Sequence, residues 1–335
     1  MVDVRFTVSF DMRAPAWGTP APELYRAALE IAAYADRIGV DRLGVMEHHT
    51  SEDGYIPRPF QLGAAIAGVT ERTAINLGAV ILPLHDPIAI AEEIAVMDLI
   101  SGGRARVIFG AGYVPSEFAM FGKSLHDRAR LMDSGIAAIL RALRGERFEF
   151  EGRPVCVRPL PTSAPETILM VGGGVPAAAR RAARFDLGFA PIVPGLPEIY
   201  LAECERLGQR PRDYWVPVPG PMAIHLCEDP DRGWAAIERH AIHVITEYAR
   251  WAEEAGPGAT SPFAGLTDPE ALRRSGMFLA LTPEQLLARV PELVDGQSVG
   301  FWPLLGGLDP AEAMRSMHLL GQVLPDMRRA LAARD

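Results

Sequence analysis

The chain has 335 residues, of which 49% are hydrophobic, 22% charged and 7% aromatic. That composition supplies a large apolar core and excludes a disordered or collagen-like polymer. Thirty-three basic against 42 acidic side chains leave a formal charge of -9, which argues against a grip on nucleic acid or an anionic membrane and points to a small-molecule partner. Cys156, Cys204 and Cys227 are odd in number and widely spaced, so neither a disulfide framework nor a thiolate zinc site is indicated, and no metal is expected. Asp3 interrupts what would be a signal peptide's charged region, and no apolar run reaches about 18 residues, so the expected location is the cytoplasm, with no targeting and no membrane span.

In chain order, short apolar runs alternate with segments of helical period. Residues 4–10 predict a strand and 22–38 a helix, its apolar face formed by Leu24, Ala27, Ala28, Ile31, Ala35 and Ile38 and its end marked by Gly39. A strand at 41–46, a polar loop at 47–56, a helix at 59–69 and a strand at 74–82 follow; the last is too apolar to have a wet face. Pro87 opens a helix over 87–100, Ser101-Gly102-Gly103 closes it, and 104–110 predicts the next strand. After a helix at 124–143, residues 146–158 alternate at period two around Glu151-Gly152, the pattern of an added hairpin.

Strand 167–171 leads into Gly172-Gly173-Gly174 and a helix at 176–184, then strand 186–192 and helix 197–207. The remaining expectations are a strand at 216–227, a helix at 231–254, a loop-like lid or insertion at 255–275, a helix at 283–294, a strand at 297–302 and a helix at 310–330. About eight strand–helix units without a composition break predict an α/β chain folded as one (β/α)8 TIM barrel over 1–335, with insertions near 111–122, 146–158 and 255–275. A doubly wound sheet uses the same local units and is the rival.

Chemistry in such a barrel sits just after the strands. Those positions hold Glu47-His48-His49, then His85-Asp86 between Pro83 and Pro87, then Gly110-Ala111-Gly112-Tyr113, then Gly172–Gly174. Imidazole titrates near neutral pH, so Glu47-His48-His49 suits acid/base work, the bland alternative being a polar loop. A metal role is disfavoured, because the adjacent histidines project differently and no further ligand stands at ligand spacing. Gly172-x-Gly174-x-x-Ala177 after a strand fits a relaxed phosphate-binding turn at a helix start, and a tight barrel turn is the alternative. Arg180, Arg181 and Arg184 read as a solvated helix face.

Taken together, GVDRLGVMEHHTSEDGY, LPLHDPIAIAEEIAVMDLISGGRARVIFGAGYVPSEFAMFG and ILMVGGG, in that order and spacing, resemble the bacterial luciferase-like flavin-dependent monooxygenase family over roughly residues 4–190. The resemblance implies a luciferase-like (β/α)8 barrel with a lid, a reduced flavin at its C-terminal face, and a homodimer. It makes His48 the catalytic histidine and places Glu47 near the flavin ring. Gly78 and Ala79 match a segment on which the ring packs, where relatives have a cis peptide. Gly110 and Ala111 match a phosphate-side loop, and Gly172, Gly173, Gly174, Val175 and Ala177 the turn that holds the phosphate. Ala111 stands where luciferases carry a phosphate-contacting arginine; similar Gly-Ala-Gly loops occur in relatives that use the deazaflavin F420.

The expected activity is that of a monooxygenase using FMNH2 from a separate reductase, with O2 and a small organic substrate. An F420-dependent hydride-transfer enzyme is the alternative, and a non-catalytic flavin-binding protein the second. His49 is expected to point away from His48 and to be structural. Residues 59–69 and 88–99, rich in Ala, Ile and Leu, are the expected dimer face.

Overall fold

A computed structural model describes residues 4–256, 266 and 268–334. In chain order the elements are β1 (Arg5–Phe10), α1 (Ala21–Ile38), β2 (Arg42–Val45), α2 (Pro59–Gly68), β3 (Ala74–Ile81), α3 (Pro87–Ser101), β4 (Ala105–Gly110), α4 (Pro115–Met120) and α5 (Arg128–Leu143). There follow β5 (Phe148–Phe150), β6 (Arg153–Val155), α6 (Pro165–Ile168), β7 (Leu169–Gly173), α7 (Pro176–Arg184), β8 (Gly188–Pro191), α8 (Leu196–Arg206) and β9 (Ala223–Leu226). The chain ends with α9 (Pro230–Glu254), α10 (Pro269–Ser275), β10 (Phe278–Leu281), α11 (Pro283–Ala288), β11 (Ser298–Phe301) and α12 (Pro310–Ala332).

The chain divides into two compact units, one of residues 1–44, 51–57 and 218–335, the other of 45–50 and 58–217. In the first, β11, β1 and β2 are neighbours in that order, Arg5 lying against Ser298 and Val8 against Phe301. β9 and β10 form a separate parallel pair, Ala223 against Phe278. Its core gathers Trp234, Ile237, Ala241, Val244 and Ile245 of α9 with Leu272 and Phe278. α1 buries the face its period predicts, and Gly39, at φ 85, caps it with its N–H on the carbonyls of Ala35 and Asp36.

In the second unit the strand order is β3, β4, β7, β8, and the printed pairs are parallel. Asp86 caps α3 by accepting from the Ile88 N–H, beside Pro87 in the first turn. The hairpin at 148–155 forms, with both Glu151 and Gly152 at positive φ as a two-residue type I′ turn requires.

Several expectations change. The strand expected at 216–227 shortens to β9, because Pro217, Pro219 and Pro221 remove ladder donors. Its partner β10 was not anticipated from the sequence. Within 255–275, residues 257–265 and 267 lie outside the described residues, whereas 269–275 is the helix α10. There Asp268 accepts from the Ala271 N–H, and Pro269 and Gly276 are start and stop signals, not loop composition. The 111–122 stretch carries α4, and the helix expected over 283–294 ends at Ala288, before a 3-10 turn around Pro291.

Candidate active site

β2 ends at Val45, and the turn that follows packs Glu47, His48 and His49 into the second unit, all three buried. His48 and His49 diverge as expected, and each meets a different carboxylate. Glu117, on α4 and fully buried, accepts at one oxygen from His49 N–H (2.7 Å) and hydrogen-bonds His48 Nδ1 through the same Oε1 (2.8 Å). A second tie, Thr50 Oγ1 to Ser116 Oγ at 3.2 Å, fastens α4 to the same turn. With Nδ1 committed to Glu117, any proton His48 trades with a bound molecule passes through Nε2. Its ring stands edge-on to Tyr113 at 6.0 Å, the residue that follows Gly110–Gly112.

Glu47 turns inward from the end of β2. It is 2% exposed, its Oε1 meets His49 Nε2 (2.7 Å) and His85 Nε2 (2.6 Å), and its Oε2 accepts from the Ile81 N–H (3.0 Å). Burial alone would raise its pKa, but the hydrogen bonds from His49 and His85 outweigh it and lower the carboxyl to about 2. Glu47 is therefore a buried anionic hub turned away from solvent.

The fold also brings in His85, which the sequence pairs only with Asp86. Glu47, His49 and His85 offer donor atoms within 4.8 Å of one another, so a third ligand does exist nearby, contrary to the sequence reading. The 2.6 and 2.7 Å separations are nevertheless hydrogen-bond lengths; two atoms each about 2.0–2.1 Å from a tetrahedral ion stand roughly 3.3 Å apart. Arg58 Nη1, 3.4 Å from His85 Nδ1, further favours the hydrogen on Nε2 and aimed at Glu47.

Three neighbouring strands end in small, partly accessible residues: Gly78 and Ala79 on β3, Ala111 after β4, and Gly172 and Gly173 on β7. The Gly78–Ala79 peptide is cis. A Cβ at Gly78 would come within 2.7 Å of Ile108 Cδ1, and one at Gly173 within 2.8 Å of Ala178 Cβ, so close packing leaves no room for a side chain at either position. α7 begins after β7 at Pro176, with Val175 as an N-cap that supplies no side-chain acceptor. The N–H groups of its first turn therefore face a place where an anion would satisfy them. Arg181 Nε and Arg184 Nη2 both stand 2.6 Å from Asp133 Oδ1, committed to an ion pair on α5. Gly/Ala strand ends leading to an uncapped helix start fit a planar ring with a phosphate-bearing tail.

Residues 4–290 match the family model for luciferase-like monooxygenases, and the chain belongs to that family. It is 31% identical over 192 residues to 4-hydroxyprotoasukamycin monooxygenase of Streptomyces nodosus subsp. asukaensis, covering 55% of this chain and 50% of that protein. The match thus spans about half of that relative's length. Among solved structures it resembles the oxygenating constituent of 3,6-diketocamphane monooxygenase from Pseudomonas putida, a type II Baeyer-Villiger monooxygenase in complex with FMN. The TM-score is 0.71 at 21% identity, over 97% of this chain and 99% of that one. It also resembles an F420-dependent secondary alcohol dehydrogenase with an F420-acetone adduct, at TM-score 0.69 and 14% identity, over 98% and 99% of the two chains. These likenesses establish the luciferase-like (β/α)8 barrel fold.

Proposed function

We propose that this chain is a flavin-dependent monooxygenase that takes FMNH2 from a separate reductase and acts with O2 on a small organic compound. The observation that carries the reading is the buried His48–Glu117 pair, set beside the Gly/Ala loop after β4. Bound reduced flavin would supply the electrons for oxygen activation. The chain's own part is to seat the ring on Gly78–Ala79, to meet the phosphate with the backbone N–H groups of Gly173, Gly174, Val175 and Ala177, and to move a proton through His48 Nε2. Glu117 fixes the imidazole for that transfer, which favours a working enzyme over a passive flavin carrier.

A second reading, hydride transfer with F420, is favoured by Ala111, which offers no charged side chain to a phosphate, and by the likeness to an F420-dependent enzyme. Anaerobic titration with FMNH2 and with reduced F420, followed by mixing with O2, separates the two. Tight FMNH2 binding and rapid flavin oxidation on mixing support the monooxygenase; selective binding of reduced F420 without an oxygen reaction rejects it. A homodimer through α2 and α3 belongs to the same proposal, supported by the exposed apolar side chains of Val69, Val96, Leu99 and Ile100. Among the described residues no helix is long and apolar enough to cross a membrane.

A further inference from the structure

The first unit holds a buried charged cluster with no part in the chemistry above. Directly after β1, at a strand end of the kind where barrels place their sites, come Asp11, Met12 and Arg13. Met12 has φ 60, a left-handed conformation rare for a residue with a Cβ. Arg13 is fully buried, its guanidinium carbon 4.5, 5.3 and 5.0 Å from the ring centroids of Tyr55, Tyr248 and Trp251. Its Nη1 donates to Asp53 Oδ2 at 2.5 Å, while its Nε and Nη2, and Asp11 Oδ2, have no hydrogen-bond partner among the described residues.

Asp53 is pinned from several sides. Its Oδ1 accepts from the Ser51 hydroxyl and the Tyr55 N–H, and its Oδ2 also meets His243 Nε2 at 2.8 Å. Burial alone would raise its pKa, yet the hydrogen bond from His243 and the charge of Arg13 hold it far below the ordinary carboxylate range. With Nε2 held by the Asp53 carboxylate, the other ring nitrogen, Nδ1, takes no hydrogen bond among the described residues. The His243 side chain is 19% accessible. Against it stands Trp17, 37% exposed, edge-on to His243 at 5.6 Å and tilted to His240 at 5.0 Å, with the Arg239 guanidinium 3.9 Å from its ring. His240 is itself held by its Nδ1–H on the Gly306 carbonyl.

We propose that His243, oriented by Asp53, is a second proton-exchanging residue of this chain, and that with Trp17 it holds an aromatic compound bearing an acidic hydroxyl. In the exchange the phenolic O–H bond breaks and an N–H bond forms at His243 Nδ1. The products are a phenolate and an imidazolium, the imidazolium charge meeting Asp53 and the phenolate lying near Arg239. A carboxylate fits less well, because it brings no proton to the Nδ1 lone pair. An aliphatic alcohol fits less well because it neither stacks on Trp17 nor ionises readily. The inference stands apart from the monooxygenase reading: the site itself needs no flavin.

The test uses 4-nitrophenol as probe, whose phenolate form absorbs visible light and whose phenol form does not, titrated into the full-length protein without flavin just below the probe's own ionisation range. The expected result is a saturable phenolate band with quenching of tryptophan fluorescence. His243→Gln, at a partly exposed position, should bind the probe but cut the bound phenolate about tenfold, the scale of one charge-assisted hydrogen bond. Trp17→Leu should weaken binding by about the same factor. No saturable band in the wild type, or an undiminished band in His243→Gln, overturns the proposal. Nitrogen–proton NMR gives an independent check: a neutral His243 carrying its hydrogen on Nδ1 also overturns it. Since FMNH2 binding is measured separately, its failure does not bear on this site, nor does failure here bear on flavin.

Discussion

Replacing Glu117 separates a positioning role from a merely structural one. Its Oε1 takes two hydrogen bonds, from the His48 ring and the His49 N–H, in a fully buried position. Glu117→Ala strands the His49 N–H, at a cost of about 1–3 kcal/mol for an unsatisfied buried donor, with a further cavity cost. Glu117→Gln keeps an acceptor oxygen and nearly the same volume but places an amide N–H group where the buried Oε2 has no partner, so a loss of about 1–3 kcal/mol is expected from chemical denaturation, with flavin affinity little changed. Turnover should fall by about 10–100-fold, the range seen when the partner that orients a functional histidine is lost. His48→Ala sets the ceiling, about 10²–10⁴-fold in turnover with the fold intact. If Glu117→Gln turns over normally at saturating flavin and substrate, Glu117 serves packing alone and the pair is not catalytic.

Glu47 titrates at about 2 against an ordinary 4.5, a lowered value, so its stabilisation is complete above pH 4.5 and is lost as pH falls towards 2. About 3 kcal/mol is at stake by linkage, and acid denaturation of Glu47→Gln should lack that component. Asp11 is displaced the other way, raised by burial from 3.8 to about 6, so it costs about 3 kcal/mol above pH 6 and the cost fades as pH falls to 3.8. Asp11→Asn should therefore stabilise the protein at pH 8 and not at pH 4; equal effects at both pH values would refute the assignment. Gly173→Val should weaken FMNH2 binding at least tenfold by titration, because its Cβ would stand 2.8 Å from Ala178 Cβ. Light scattering should give a dimer at micromolar concentration, and Leu99→Glu with Ile100→Glu a monomer.

The strand ends were readable in the sequence because period and punctuation are local: apolar runs, Pro at helix starts and Gly after helix ends lie within a few residues of one another. Which side chains meet at those ends was not. Glu117 and His48 are 69 positions apart, joined by crossovers that carry no local mark, and Glu117 falls in the stretch expected only as an insertion near 111–122. His85 and Asp86 looked like a pair because they are neighbours, yet Asp86 caps α3 and meets Arg153 while His85 turns to Glu47. Asp53 and His243, separated by 190 positions, gave no sequence signal at all. β10 escaped for a different reason, being four residues long and preceded by a helix whose Pro and Gly signals resembled a loop.

The division of labour among His48, His49 and His85 follows from two carboxylates and from which nitrogen each one holds. Glu47 takes His49 and His85 by Nε2 and spends its other oxygen on a backbone N–H, so these rings are tied into a closed, buried network. Glu117 takes His48 by Nδ1 instead, so that Glu117 holds the opposite nitrogen from the one Glu47 holds on His49 and His85. Adjacent residues of one type thus acquire opposite roles from geometry alone. The same argument orders the two buried carboxylates: removing the charge of Glu47 should be felt first in acid stability, and removing that of Glu117 first in proton transfer. A reversal of that order would mean that the nitrogen held by each carboxylate does not decide what its histidine does.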